Sequence, residues 1–255
     1  MKRNFKYLMK YELLNNLYNG YSFFFGCLFP ILLSNVIAIS IRKQAPADMQ
    51  SEALTSLFIG MSMIIPLATL FLGYAATYAN ELEKDVPTRL SLYGISQKRL
   101  FLGKLAANYV FLTFCVVLYL VGTLLTLNIA KPTLTGAVAW ILILYLLSAF
   151  FLIMAHGIAN WIRKFGITYG IVMGIYFILM ILSGMMGISN KDLPKFLQSI
   201  AKLIPLSHMQ NNFVDFWMGK SYNFGPLIQS LIFFGAISLL ILLISFKVRG
   251  RKGDL

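Results

Sequence analysis

Residues 81–104, ELEKDVPTRLSLYGISQKRLFLGK, place eight charged side chains between two stretches that have none: 53–80 on one side and 105–130 on the other. Each flanking run exceeds the roughly 20 residues that cross a hydrocarbon core of about 30 Å at about 1.5 Å per residue. A charged turn between two such runs reads as the water-exposed corner of a membrane-spanning helical hairpin. Working outward, four more charge-free runs of membrane length appear at 13–41, 132–162, 165–190 and 221–246. Hydrophobic residues make up 58% of the 255 residues and charged residues 12%, against about 25% charged in soluble domains. The chain is therefore an all-α polytopic membrane protein with six transmembrane helices, expected near 21–41, 54–79, 105–127, 136–160, 167–188 and 226–246. A β-barrel would need alternating segments of about 10 residues, which are absent.

Charge sets the orientation. Fifteen Lys and Arg fall on the side of the N-terminus, 80–104, 163–164 and the C-terminus, and seven on the other. The positive-inside rule then puts both termini in the cytoplasm. The formal charge of +13 serves orientation and contact with anionic headgroups, so no nucleic-acid partner is needed. The basic start, MKRNFKYLMK, precedes a span too long for a signal h-region and is not expected to be cleaved.

Within 1–20, Phe5, Leu8, Met9, Leu13 and Leu17 recur at helical spacing, while Lys6, Lys10 and Asn16 fall elsewhere. This reads as an amphipathic interfacial helix ahead of a single transmembrane domain, 21–255. Pro30 and Asn35 predict a local kink in span 1, and Pro66 interrupts span 2. Gly166, Gly170 and Gly174 open span 5 at four-residue spacing, a groove for close helix approach, either within the chain or across a dimer. The segment 190–217 carries a short helix with Phe196, Leu197, Ile200 and Leu203 on one face. Pro194 suits its first turn and Pro205 stops it. It is too short to span, so it lies on or re-enters the outer leaflet.

Several chemistries are missing. Gly103-Lys104 lacks the earlier Gly and following Ser or Thr of a phosphate loop. No Cys, His, Asp and Glu set has metal-ligand spacing; His156 and His208 sit on opposite sides and read as structural, and Cys27 and Cys115 as buried packing residues. The span interiors carry no Asp, Glu, Lys or Arg, where coupled-ion carriers place theirs. Energy for any uphill transport would enter from outside the bilayer.

In the charged stretch, Pro87 can start a short helix that Gly94 ends, and Ser96 can cap the next helix. An ordinary positive-inside loop would not need its three acids. The layout resembles the membrane subunit of ABC-2 type transporters, which has an interfacial elbow helix, six spans, a cytoplasmic coupling helix between spans 2 and 3, and an outer helical hairpin between spans 5 and 6. Glu81 and Glu83 match the family's acidic pair, Thr88 and Leu90 its helix, Ile95-Ser96 its corner, and Gly103-Lys104 its closing pair. Leu193-Pro194 and Ile204-Pro205-Leu206-Ser207 echo the outer hairpin. The sequence departs from the pattern at Val86-Pro87, Gly94 and Ile204.

The resemblance implies a permease half-transporter of the bacterial plasma membrane, without a cofactor or catalytic residue of its own. Two separate ATPase subunits would bind ATP and magnesium, and a second permease copy would complete a dimer through spans 1 and 5. The coupling helix, 81–98, would dock the ATPase through Lys84, Thr88, Arg89, Lys98 and Arg99. Glu81, Glu83 and Asp85 would either meet basic partners or brace the elbow. Aromatic and polar groups at Phe23, Phe24, Phe29, Asn35, Tyr176 and Phe177 are the pathway candidates. Greasy spans favour an amphipathic or hydrophobic cargo, and small permeases of this type in low-GC Gram-positive bacteria resemble exporters of, or immunity factors against, amphipathic peptides. Other cargoes (drug, lipid, polysaccharide or sodium), an ion-coupled carrier and an intramembrane enzyme are the alternatives.

Overall fold

A computed structural model describes residues 2–186, 193–210 and 213–253. Among them every regular element is helical. Six helices are long and apolar enough to cross a membrane. In chain order the elements are α1 (Lys2–Tyr18), the spans α2 (Gly20–Gln44) and α3 (Gln50–Glu83), and a short α4 (Val86–Leu92). The spans α5 (Gln97–Leu124) and α6 (Leu134–Ile162) follow, then α7 (Phe165–Leu182). Three short helices, α8 (Lys195–Ala201), α9 (Pro205–Gln210) and α10 (Phe213–Trp217), lead to the last span, α11 (Gly225–Gly253). Residues 187–192 and 211–212, which include parts of expected span 5 and of the 190–217 segment, lie outside the described residues.

Helix α3 is the axis of the bundle. Its most apolar window is 94% buried, whereas the other five spans bury 28–44% and turn the remainder outward. Such all-round burial follows from a helix with no polar face. Pro66 removes a backbone donor, and the helix widens into a π-turn over Leu67–Gly73. Thr69 Oγ1 donates to the Ile65 carbonyl at 2.7 Å. Span α2 has a matching π-turn, Phe24–Leu28, just before Pro30. The irregularity expected near Pro30 thus takes the form of a widened turn.

The two π-turns face each other through glycine. A Cβ on Gly26 would lie 2.3 Å from Thr69 Cγ2, and one on Gly73 would lie 2.3 Å from Ser22 Oγ. Only hydrogen at these positions lets α2 and α3 meet.

At the end of the bundle away from α1, α8–α10 are tied down by polar contacts. Trp217 Nε1 donates to the Ala130 carbonyl at 2.8 Å, and the Thr133 N–H donates to the Trp217 carbonyl at 2.9 Å. Pro194 precedes α8, and Pro205 opens α9 rather than merely ending its predecessor. His208 Nε2 bonds the Lys202 carbonyl oxygen at 2.8 Å, a structural role.

Candidate functional site

The charged stretch folds into three parts at the basic end of the bundle. Glu81, Leu82 and Glu83 are the last turn of α3. Asp85 adopts a left-handed conformation (φ 52°), which turns the chain into α4 with Pro87 in its first turn. Gly94 (φ 79°) closes α4. Its N–H donates to the Ser91 carbonyl and the Ile95 N–H to the Leu90 carbonyl, the paired bonds of a Schellman stop. Ser96 Oγ then accepts from the Arg99 N–H and starts α5.

Two acids bolt this turn to other helices. Glu83 Oε2 accepts from the backbone N–H of Phe165 at 2.7 Å, placing a carboxylate at the N-terminus of α7. Glu81 is 5% exposed and lies against Lys104 of α5, whose Nζ is 2.6 Å from its carboxylate. The same ammonium reaches Glu12 of α1 at 2.8 Å. Asn15 Nδ2 adds a donor to Glu81 at 3.3 Å. Lys104 and Glu12 are each 3% exposed. Three helices therefore meet at one buried cation shared by two carboxylates. Burial raises the Glu12 carboxyl to about 7, with the Glu81 charge adding to the rise and the Lys104 ammonium opposing it.

Helix α1 packs along α5. Leu8 sits on Gly103, where a Cβ would come within 2.9 Å of Leu8 Cδ2. The buried row of α1 is Leu8, Glu12 and Asn16, with Phe5, Met9 and Leu13 half-buried at its margins. This corrects the expected apolar stripe: Asn16 is inside and Leu17 is exposed. The reason is tertiary, because α5 presents Lys104 and Asn108 one turn apart to the same row.

Beneath the turn, His156 of α6 stacks on Tyr78 with ring centroids 4.6 Å apart, and its Nδ1 is 2.8 Å from the Tyr74 hydroxyl. Above it, α4 buries no residue, and Leu92 and Tyr93 stand 83% and 85% exposed. A groove of about 440 Å³ runs between Tyr7, Leu8 and Tyr11 of α1 and Val86, Leu90 and Tyr93. Thus α4 is an exposed knob on a rigid mount.

The family described as ABC-2 family transporter protein matches this sequence over residues 12–247. The chain belongs to that family. No curated protein matches it. The chain is thus an ABC-2 transporter permease, a membrane component of a transporter.

The geometry sorts the residues singled out in the permease sequence. Lys84, Asp85, Thr88, Arg89 and Lys98 are exposed on or beside α4, and Arg99 is half-buried. Glu81 is not on that surface; it is buried, accepting from Asn15 of α1 and paired with Lys104 of α5. Around Gly166, Gly170 and Gly174 no atom of the described residues lies within 4 Å of an added Cβ, so no other described helix fills that groove. The aromatic candidates do not converge. Phe24 and Phe177 are exposed, Phe23 and Phe29 half-buried, and Tyr176 is buried with its hydroxyl unbonded among the described residues. Asn35 Nδ2 donates to the carbonyls of Ile31 and Gly122, joining α2 to α5.

Sequence reasoning missed Glu12, Asn15 and the pairing role of Lys104. The available signal was an acid four residues after Leu8, on the row assigned to packing. Cys27 and Cys115 are free and buried, as packing residues would be.

Proposed function

We propose that this permease is half of an ATP-driven exporter in a bacterial plasma membrane, with both termini cytoplasmic and a second copy paired through α2 and α7. Two separate ATPase subunits, which bind ATP and magnesium, dock on α4. The observation that carries this reading is the mounting of α4: none of its residues is buried, yet Glu81 and Glu83 tie its root to α1, α5 and α7. A push on Leu92 and Tyr93 therefore moves three helices at once rather than bending a loop. The membrane-depth parts of the spans carry no ionisable pair to couple an ion gradient, which also favours energy arriving from outside.

The open groove at Gly166, Gly170 and Gly174 supports a helix of the second copy as its occupant. The apolar spans favour an amphipathic or hydrophobic cargo, such as a membrane-active peptide. The test is co-purification with the ATPase subunit and ATPase stimulation in proteoliposomes. Arg89→Glu and the pair Leu92→Ala and Tyr93→Ala should each weaken association and abolish stimulation while leaving the permease folded. A permease that purifies without an ATPase, or is indifferent to these changes, overturns the reading.

A further inference from the structure

The buried cluster at the α1–α5 seam is out of charge balance. One ammonium, Lys104, faces two carboxylates, Glu12 and Glu81, with all three shielded from water. An unpaired buried charge is costly, and the cheapest remedy for two carboxylates around one cation is a proton. The hydrogen bonds show where it goes. Glu81 has the closer ammonium contact, 2.6 Å, and a second donor in Asn15. Each carboxylate keeps one buried oxygen without a hydrogen-bond partner among the described residues, Glu12 Oε1 and Glu81 Oε2, but Glu12 has the ammonium alone at 2.8 Å, whereas Glu81 has Asn15 as well. One turn further along the same helix rows, Asn16 Nδ2 and Asn108 Oδ1 are also buried and unpartnered.

The groups facing Glu12 are few. Lys104 comes from α5, Glu81 and Tyr74 from α3, and Tyr11, Asn15 and Asn16 from α1 itself. Beyond Lys104, His156 and Arg163 line a pocket of about 40 Å³ on the side of α6, and Tyr93 lines the groove against Tyr11. None of these contacts gives Glu12 a second cation.

We propose that Glu12 is a proton-binding site, and that its occupancy makes the joint between α1, α3 and α5 sensitive to the pH at the basic end of the bundle. With the proton bound, the cluster is neutral and α1 is clamped to α5. Without it, the seam carries a buried negative charge, which loosens α1 beneath the α4 knob. In the orientation proposed above, the site reads cytoplasmic pH. Proton binding itself needs neither ATPase nor cargo, so its failure and that of the docking reading are separable.

The test is infrared difference spectroscopy on the full chain in lipid nanodiscs, stepping pH through neutrality. The wild type should show a protonated carboxyl band that is lost near pH 7 with matching carboxylate gain, the midpoint being set by Glu12 at about 7. Glu12→Gln should lack the band, and Glu52→Gln, an exposed acid at the far end, should keep it. Glu81→Gln leaves one carboxylate for Lys104 and removes the Glu81 charge that adds to the rise, so the transition should move to lower pH. This second variant decides the matter where Glu12→Gln does not fold. A wild type without the band, a band that survives in Glu12→Gln, or a transition unmoved by Glu81→Gln overturns the proposal. So does a midpoint that falls with rising sodium or potassium, which would make the occupant a metal cation.

Discussion

Replacing Lys104 by methionine keeps much of the side chain's length and packing while removing the only cation among the described residues in contact with Glu12 and Glu81. Both carboxylates are at most 5% exposed, and neither reaches water without opening the α1–α5 seam. Removing one partner of a buried ion pair costs about 3–5 kcal/mol. That corresponds to roughly 10²–10⁴-fold in the folded-to-unfolded ratio, at about 1.4 kcal/mol per tenfold. The triple change Glu12→Gln, Lys104→Met and Glu81→Gln removes all three charges, and the stability should return to within about 1–2 kcal/mol of wild type. The measurement is reversible unfolding in mixed detergent micelles, with the midpoint and slope fitted for each variant. Low pH should also rescue Lys104→Met in part, because protonation neutralises both carboxylates. The charge argument is refuted if Lys104→Met costs less than about 1 kcal/mol, or if the triple variant is as unstable as the single.

Other expectations follow from single contacts. Glu12 is raised from 4.5 to about 7 in the folded chain, so its contribution to stability is full below the lower value and is lost as pH rises through the upper. The unfolding midpoint of the wild type should fall across that window, and Glu12→Gln should flatten the fall. Gly73→Ala brings a methyl within 2.3 Å of Ser22 Oγ and 2.8 Å of Ser22 Cβ, an overpacking cost of about 1–3 kcal/mol. Ser22→Gly in the same chain should recover most of it, and no recovery would mean that the π-turns do not interlock as described. Glu83→Ala removes the carboxylate from the α7 N-terminus, at about 0.5–2 kcal/mol by comparison with helix caps. Hydrogen exchange at residues 165–168 should accelerate while that of α3 stays unchanged.

The parts read directly from sequence were those governed by the solvent and by local backbone chemistry. A charge-free run of membrane length must be a helix, because lipid offers no partner for an open backbone, and six such runs fixed six spans. The stop at Gly94 and the cap at Ser96 were legible because they depend on one or two neighbouring residues. The burial of Asn16 and the withdrawal of Glu81 from the surface were not. Each depends on a residue far along the chain: Asn16 on the face of α5, and Glu81 on Lys104 and Asn15.

The family match spans residues 12–247, whereas the joint rests on three side chains brought together from α1, α3 and α5. Sequence alone determined that the protein crosses the membrane six times, that charge gathers between spans 2 and 3, and that this gathering makes a helical knob. Tertiary structure alone decided which charges are free and which are bound. Hydropathy is a property of each segment, but a buried cation chooses its carboxylates by distance, and that distance exists only once the helices have packed.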